Sequence, residues 1–336
     1  MFILGMESSC DETSAAVVEM SEDKRVIRSN VIASQIETHR LYGGVVPEIA
    51  SRAHIEAISR ITYEALEIAG IGVSELGAIA VTSNPGLIGA LLVGVNFAKS
   101  MAYSRGIPLV PVNHIHGHVA AAYLSNPTLK PPFLALVVSG GHTAFYLVDD
   151  YAGFHEIGGT RDDAAGEAFD KIGRVIGLPY PGGAALDKLA YEGNPTAIKL
   201  PSPALMGEGL DFSFSGIKTA TLNYLNGMTQ RGEPINRADV AASYTRGIVD
   251  AIVKKTAQAI EQTKLSTLVL AGGVAANSHL RAALETLCTE RGVTLAMPER
   301  AFCGDNGAMI GAAGYFQYLR GNFAGTNLNA SACDLL

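Results

Sequence analysis

The sequence has few charged residues and no excess of positive ones. Only 17% of its 336 residues are charged, 48% are apolar, and the formal net charge is −7. Disordered chains show the opposite balance, so this composition excludes an unfolded protein and provides material for a sizeable core. The absence of a net positive charge argues against a surface that coats nucleic acid by itself, although a local basic patch or a partner could supply that charge.

The sequence also lacks closely spaced cysteines, long apolar runs and a basic leader. Its four cysteines form no CxxC pair, which favours reduced thiols in a cytosol over a disulfide framework or a zinc ribbon. The apolar run Ile88–Val95 is too short and too rich in glycine to span a bilayer. No basic region with a cleavage site precedes the first strand. We therefore expect a soluble, cytoplasmic protein that does not contact a membrane.

Glycine, by contrast, is abundant, and it marks a repeated pattern. The 37 glycines stand at strand ends and in paired turns, which is typical of an α/β protein that handles a cofactor. A strand, a small polar turn and a second strand occupy residues 2–18, and the same pattern returns in residues 133–148. Two such hairpins roughly 130 residues apart predict a duplicated fold whose halves face each other across a ligand. This is the layout of the actin and sugar-kinase superfamily, also called ASKHA or ribonuclease H-like.

The duplication predicts two α/β lobes with a ligand cleft between them. The N-terminal lobe is expected over residues 1–125, and the last helix, about 308–320, can pack back onto it. The C-terminal lobe is expected over residues 126–336, with inserted helices at about 160–235. Four local expectations complete this picture: a helix that opens at Thr160, an alternating strand at Asp211–Lys218 that runs into a helix, an exposed loop at 227–234, and His54 on a helix surface or capping a neighbouring element.

The sharpest chemical signal is a cluster of three histidines within five residues. If residues 113–123 are helical, His114 and His118 stand one turn apart on one face, where two imidazole nitrogens can converge on a cation. His116 would point elsewhere on the helix. Two imidazoles leave coordination positions open, so a carboxylate from a distant segment is needed. Asp305, beside two glycines and at a helix entry, is the best-placed candidate.

This cluster favours some metal chemistries and excludes one. A set of two histidines and one carboxylate suits iron(II) or zinc, and the sequence does not choose between them. The HxxxH spacing is half of a zinc-protease signature, but that signature needs glutamate directly after the first histidine, and Ile115 stands there. The glycine turn that follows Val138 would offer backbone N–H groups to an anion. A metal beside a phosphate-binding turn indicates chemistry on an activated phosphate.

Eight motifs occur in the order found in one protein family. They are Glu7-Ser-Ser-Cys-Asp-Glu-Thr13, Gly43-Gly-Val-Val-Pro-Glu48, the HxxxH element, Val138-Ser-Gly-Gly-His-Thr143, Gly166-Glu-Ala-Phe-Asp-Lys171, Asp211-Phe-Ser-Phe-Ser-Gly216, Ala271-Gly-Gly-Val-Ala-Ala-Asn277 and Asp305-Asn-Gly307. With them, nearly the whole chain resembles the bacterial TsaD family of tRNA N6-adenosine threonylcarbamoyltransferases, formerly called O-sialoglycoprotein endopeptidases or glycoproteases. Many members carry another residue in place of His116.

The resemblance implies a reaction and a set of partners. The family transfers the threonylcarbamoyl group from threonylcarbamoyl-AMP to the N6 amine of the adenosine 3′ of the anticodon, in tRNAs that read ANN codons, and AMP leaves. One divalent metal, iron(II) with zinc as the alternative, would be held by His114, His118 and Asp305. The paralogous subunit TsaB and the ATPase TsaE would complete the complex, which fits an acidic chain that does not hold tRNA alone.

The resemblance also implies roles for residues that periodicity does not single out. The residues that match the family's substrate contacts are Val137, Val138, Ser139, Gly140 and Gly141 against the adenylate, Asp170 on the ribose, and Gly183, Asp187 and Asn277 on the nucleoside. Asp11 and Glu12 lie where the first hairpin would face the acyl group, and we hypothesise that one of them is the general base. Two alternatives stay open: a non-catalytic scaffold paralogue of the same fold, and an ATP-dependent small-molecule kinase that would use magnesium.

Overall fold

The structure is a computed structural model that describes residues 1–201 and 209–333. The chain divides into two compact units, one of residues 1–131, 150–153 and the chain from Met297 onward, the other of residues 132–149 and 154–296. The lobe limits expected from the sequence stay a prediction, and part of the expected insertion, residues 202–208, lies outside the described residues. None of the helices in the described ranges has the length and apolar character needed to cross a membrane.

The first unit is built on a mixed five-stranded sheet. Its elements up to residue 125 are β1 (Phe2–Glu7), β2 (Glu12–Met20), β3 (Arg25–Ser34), α1 (Ile36–Arg40), α2 (Pro47–Ala69), β4 (Leu76–Asn84), α3 (Ile88–Arg105), β5 (Leu109–Asn113) and α4 (His114–Ser125). The strand order is β3-β2-β1-β4-β5, with β1 antiparallel to β2 and parallel to β4. The first two strands therefore form the predicted hairpin at the centre of the sheet.

The second unit repeats this topology. Its elements are β6 (Phe133–Val138), β7 (Thr143–Asp150), β8 (Gly153–Gly159), α5 (Ala165–Val175), α6 (Gly182–Leu189), α7 (Ser215–Arg231), α8 (Arg237–Thr263), β9 (Thr267–Ala271), α9 (Ser278–Arg291) and β10 (Thr294–Ala296), and α10 (Gly307–Leu319) follows as part of the first unit. The strand order is β10-β9-β6-β7-β8, with β6 antiparallel to β7 and parallel to β9. Read from the other edge, this is the order of the first sheet, so the predicted duplicated α/β fold is confirmed.

The alternation of β1 decides which of its side chains can reach a functional site. Successive strand residues point to opposite faces of a sheet. Leu4 and Met6 enter the core cluster that also contains α2 and α3 residues. On the other face Gly5 lies so close to α10 that a Cβ atom there would stand 2.4 Å from the backbone nitrogen of Gly311. The same alternation turns Glu7 towards the side of the sheet that carries α10 and α4, where α10 packs against α4.

At residues 211–218 the expected strand is wrong, whereas the helix expected to follow it is present. Only Phe212 forms a β-bridge, and the chain enters α7 shortly afterwards. The cause is a side chain: the Asp162 carboxylate accepts hydrogen bonds from the backbone N–H groups of Phe214 (2.8 Å) and Ser215 (3.3 Å). Because these donors are bound to a carboxylate, they cannot continue a strand ladder, and alternating hydrophobicity alone could not reveal that competition.

Two helix limits also differ from the expectation. The expected loop at 227–234 is helical up to Arg231, and α7 ends at Gly232, whose φ of 66° lies in the left-handed region that glycine adopts at helix ends. The helix expected to open at Thr160 begins only with α5. Asp163, an acidic residue before α5, does not begin the helix. Its carboxylate accepts a hydrogen bond from the Lys171 side chain of α5 at 2.7 Å.

Candidate functional site

The first unit brings together the three predicted metal ligands. His114 is the first residue of α4, and His118 follows one helical turn later. Asp305 comes directly before Asn306, whose side chain caps α10. The Asp305 Oδ1 atom lies 3.6 Å from His114 Nε2 and 3.3 Å from His118 Nε2, and one ligand atom from each residue falls within 4.8 Å of the others. The Asn113 side chain accepts hydrogen bonds from two α4 backbone N–H groups. This cap fixes the residue at which the helix that carries both histidines begins.

The donor set fits a divalent cation. His118 is 1% exposed; its Nδ1 atom has no hydrogen-bond partner among residues 1–201 and 209–333, and its Nε2 atom faces Asp305 Oδ1 at 3.3 Å without forming a hydrogen bond. A buried imidazole with so few partners is unfavourable unless something else takes its lone pair or its proton. Two imidazoles and one carboxylate are the ligand types that zinc and iron(II) accept, and they leave positions open for a substrate oxygen or water. The three residues therefore form a candidate metal centre.

Glu7, the first residue of the first of the eight motifs, is a carboxylate that contacts the ligand candidate His114. Glu7 is fully buried, and its Oε2 atom lies 3.0 Å from His114 Nδ1. Burial alone would lower the pKa of His114, but the negative charges of Glu7 and Asp305 and the hydrogen bond with Glu7 raise it to about 9. Burial would raise the pKa of Glu7, and the positive charge and hydrogen bond of His114 outweigh it, so that this pKa is lowered.

Asp11 and Glu12, the hypothetical general bases, lie at the turn between β1 and β2. Asp11 is buried, and Glu12 is half-buried, with Ser34 Oγ donating to its Oε1 atom at 3.1 Å. Burial, then the negative charges of Asp305 and Asp11, and a hydrogen bond shared with Asp11 raise the pKa of Glu12 to about 9. In the absence of a cation, Glu12 therefore holds a proton at neutral pH, and its role as a base stays a prediction.

His54 was expected on a helix surface or as the cap of a neighbouring element. It is instead fully buried. Its Nδ1 atom lies 2.7 Å from Thr13 Oγ1, and its Nε2 atom lies 2.9 Å from the carbonyl oxygen of Cys10. Nε2 therefore donates to the carbonyl, and the threonine hydroxyl donates to Nδ1. The helical pattern of α2 could not show this, because both partners lie more than 40 residues away, Cys10 in the β1–β2 turn and Thr13 at the start of β2. His54 anchors the turn that carries Asp11.

These titrations predict how the stability of the metal-free protein changes with pH. The folded-state pKa of His114, about 9, exceeds its ordinary value of 6.5, and that of Glu12, also about 9, exceeds 4.5. The folded state then binds more protons than the unfolded state between pH 6.5 and about 9, so the free energy of unfolding should fall as pH rises through this range. Thermal unfolding in the presence of a chelator measures this slope.

A matched experiment with zinc tests the origin of the slope. Zinc has to displace a proton from His114, so the stabilisation by zinc should grow with pH and offset the loss. A Glu12→Gln variant, which has one titrating group fewer, should show a shallower slope. A melting temperature of the chelated wild type that stays constant or rises between pH 6.5 and 9 would contradict the assignment.

The second unit forms the predicted glycine turn between β6 and β7. The backbone N–H of Ser139 donates to the His142 carbonyl at 2.7 Å, and the His142 N–H donates to Ser139 Oγ at 3.1 Å. A Cβ atom on Gly140 or Gly141 would meet nothing within 4 Å. Glycine at these two positions is therefore not required by the packing of this chain, and its small size leaves the backbone open to a ligand. Val137 and Val138 are the buried strand residues that lead into the turn.

The four other predicted substrate residues all make hydrogen bonds within the same unit. The Asp170 carboxylate accepts from the Gly183 N–H at 2.9 Å, which joins α5 to the start of α6. The Asp187 carboxylate accepts from the N–H of Ser278 at 3.1 Å and from its hydroxyl at 2.9 Å. Asn277 caps α9 by accepting a backbone N–H of that helix. All four thus help to position helix ends, and their contacts with substrate stay a prediction.

Solved structures share the fold. The chain is similar to HypF from T. kodakarensis, with a TM-score of 0.64 and 14% identity over 97% of this chain and 49% of that chain. It is also similar to component A of the (R)-2-hydroxyglutaryl-CoA dehydratase of Acidaminococcus fermentans, with a TM-score of 0.55 and 15% identity over 95% of this chain and 99% of that chain. The chain therefore has a duplicated, actin-like α/β fold, with a candidate metal centre in its first unit.

Sequence comparison then defines the family. The family model "TsaD: tRNA N6-adenosine threonylcarbamoyltransferase" matches residues 26–312. A curated protein of that name from Clostridium botulinum strain 657 is 53% identical over 328 residues, which cover 98% of this chain and 96% of the relative. One from Clostridium perfringens strain SM101 is 52% identical with the same coverage. The chain belongs to the TsaD family of tRNA N6-adenosine threonylcarbamoyltransferases.

Proposed function

We propose that this protein transfers the threonylcarbamoyl group from threonylcarbamoyl-AMP to the N6 amine of the adenosine 3′ of the anticodon in tRNAs that read ANN codons. The observation that carries this proposal is the 53% identity, over 98% of the chain, to a relative that bears the name of this activity. The amine nitrogen attacks the carbonyl carbon of the mixed anhydride, the bond from that carbon to the phosphate oxygen breaks, and AMP leaves. The amine loses one proton to a base.

Different residues of the chain position the donor and accept the amine proton. Because the donor is already activated, the protein mainly has to position it and to stabilise the charge that develops on the phosphate. The open backbone of the turn at Ser139–Gly141 is the proposed cradle of the adenylate, and Asp170 and Asp187 are the proposed ribose and nucleoside contacts. Asp11 or Glu12 takes up the amine proton. A cation at the candidate centre would supply a Lewis acid that polarises an oxygen of the donor.

The proposed cation is iron(II), with zinc as the alternative. His114, His118 and Asp305 would hold it, and their two nitrogen donors and one oxygen donor suit both metals. Elemental analysis of the protein purified without oxygen and without added metal distinguishes iron from zinc. A kinase of the same fold would instead bind magnesium with ATP, and magnesium prefers oxygen ligands over imidazole.

The proposed partners are tRNA, the TsaB paralogue and the ATPase TsaE, in the cytoplasm. Helices α2 and α3 pack against each other in the first unit and expose apolar side chains. These side chains belong to Ile55, Tyr63, Ile68, Ile88 and Tyr103. Exposed apolar residues on neighbouring helices are suited to packing against helices of another subunit, and we propose TsaB as that subunit. The net charge of −7 supports a tRNA surface shared with partners.

A single-turnover assay tests the function directly. Synthetic threonylcarbamoyl-AMP and unmodified tRNA are mixed with excess protein in the presence of the partner subunits, and the tRNA nucleosides are read by mass spectrometry. Modified adenosine and released AMP in equal amounts are expected. No modification, together with ATP-dependent phosphorylation of a small molecule, would favour the kinase. No reaction of either kind would favour the scaffold paralogue.

Replacing Gly140 with alanine is expected to weaken use of the donor without disturbing the fold. The added Cβ meets no atom of residues 1–201 and 209–333 within 4 Å, but it would stand where the adenylate approaches the backbone. A displacement of the donor by about 1 Å should lower kcat/KM by about 10²-fold. Gly209→Ala is the matched control, since its Cβ also meets no atom of these described residues within 4 Å, and it should leave kcat/KM unchanged. Equal kinetics of the two variants would argue against the turn as the adenylate site.

A further inference from the structure

Glu7 is a buried carboxylate with an unusually complete set of donors. It is 0% exposed. Its Oε1 atom accepts from the backbone N–H of Ser9 at 2.5 Å, and its Oε2 atom accepts from Thr82 Oγ1 at 2.7 Å and contacts His114 Nδ1 at 3.0 Å. Burying an ionised carboxylate is unfavourable unless such contacts satisfy it. Three donors from three different segments therefore fix both the place and the ionised form of this group.

We propose that Glu7 is a positioning residue for the metal centre: it keeps a proton on His114 Nδ1, so that Nε2 presents its lone pair to the cation. This inference rests on the metal centre proposed above. The two nitrogens of His114 face different partners: Nδ1 lies 3.0 Å from Glu7 Oε2 and 3.1 Å from Ser9 Oγ, and Nε2 lies 3.6 Å from Asp305 Oδ1. A histidine that binds a metal through one nitrogen commonly donates the other N–H to a carboxylate, which fixes the tautomer and the ring orientation.

A glutamine at position 7 cannot replace the carboxylate. A carboxylate accepts through both oxygens, whereas an amide has one oxygen and one NH₂ group. If the amide oxygen accepts from the Ser9 N–H, the NH₂ group faces His114 Nδ1; that nitrogen then either accepts from the amide, which moves the ring proton to Nε2, or keeps its proton with only the uncharged Ser9 Oγ at 3.1 Å as acceptor. If the amide oxygen faces His114, the NH₂ group opposes the Ser9 N–H at the 2.5 Å contact. Either arrangement weakens the presentation of the Nε2 lone pair.

Two other buried histidines, His118 and His54, have no carboxylate against Nδ1 in the described chain. His118 has no hydrogen-bond partner for its Nδ1 atom in residues 1–201 and 209–333. His54 has its proton on Nε2, because that nitrogen faces the Cys10 carbonyl at 2.9 Å. Of these three histidines, His114 is the one with a carboxylate on Nδ1. His54 therefore serves as an internal reference with the opposite tautomer.

The test compares zinc binding and histidine tautomers in the full-length protein. Zinc affinity is measured by competition with a chelator for the wild type, Glu7→Gln and Thr13→Val. Glu7→Gln is expected to weaken zinc binding by about 10- to 100-fold, the usual effect of removing the carboxylate partner of a ligand histidine. Thr13→Val removes the hydroxyl partner of His54, a buried hydrogen bond of similar kind, and should leave zinc affinity within about twofold.

The tautomers are read from long-range ¹H–¹⁵N spectra of histidine-labelled protein loaded with zinc. In the wild type, His114 should carry its proton on Nδ1 and zinc on Nε2, with the His54 signals unchanged by zinc. Zinc on Nδ1, or a folded Glu7→Gln protein with wild-type zinc affinity, overturns the inference. If Glu7→Gln does not fold, the wild-type spectrum decides. A wild type that binds no zinc at His114 and His118 overturns the metal centre itself, which is a separate result.

Discussion

Replacing His114 and His118 together with alanine is expected to slow threonylcarbamoyl transfer by at least about 10³-fold and to remove the bound metal, because a Lewis acid contributes several kcal/mol to the transition state. Both imidazoles face the same Asp305 oxygen, at 3.6 and 3.3 Å, so the loss of both leaves one carboxylate as the only ligand of the proposed set. The single-turnover assay measures the rate, and elemental analysis measures the metal.

His116→Ala is the matched control for this double variant. His116 lies on the same helix but outside the group of converging ligands, so its loss should leave metal content and rate near the wild-type values. The double variant also removes the His114 imidazole that contacts the buried Glu7 carboxylate, so the free energy of unfolding of this variant should fall. His118→Ala alone keeps the Glu7–His114 contact and separates the two effects. A double variant that still transfers at the wild-type rate would contradict a catalytic role of the metal.

Much of the fold could be predicted because its signals are local. The two hairpins, at Phe2–Met20 and Phe133–Asp150, each combine apolar strands with a short turn of small residues, and both occur as expected. Their repetition indicated the duplication before any pairing was known, and the strand orders of the two sheets confirm it. The errors lie where a side chain competes with a local pattern, as Asp162 does when it binds the N–H groups of Phe214 and Ser215.

The convergence of His114 and His118 could be predicted for the same reason, and the contact with Glu7 could not. His114 and His118 lie four residues apart, and helical periodicity alone places them on one face. The contact between Glu7 and His114 spans 107 residues. It depends on the register of β1 beside β4, where Thr82 also reaches the carboxylate. The burial of His54 likewise depends on how α2 packs beside the β1–β2 turn, which a periodic pattern does not encode.

Replacing Asp11 with asparagine and Glu12 with glutamine together is expected to slow transfer by about 10³-fold, within the usual contribution of a general base. The two carboxyl groups share a hydrogen bond, and the pKa of Glu12 is raised to about 9 by burial and by the charges of Asp305 and Asp11. The single variants Asp11→Asn and Glu12→Gln, measured beside the double variant, show which of the two carboxyl groups accepts the amine proton: the larger loss of rate marks the base.

Metal content and a neighbouring hydroxyl provide the controls. Neither carboxylate belongs to the ligand group, so the double variant should keep its metal, and this distinguishes it from the histidine variants. Ser34→Ala removes the hydroxyl that donates to Glu12 Oε1 at 3.1 Å and should change the rate by less than about tenfold, because one exposed hydrogen bond contributes about 1 kcal/mol. An unchanged transfer rate in the Asp11→Asn/Glu12→Gln protein would exclude both residues as the base. The amine proton would then have to pass to solvent or to the departing phosphate, whose oxygens are the remaining acceptors in the reaction as written.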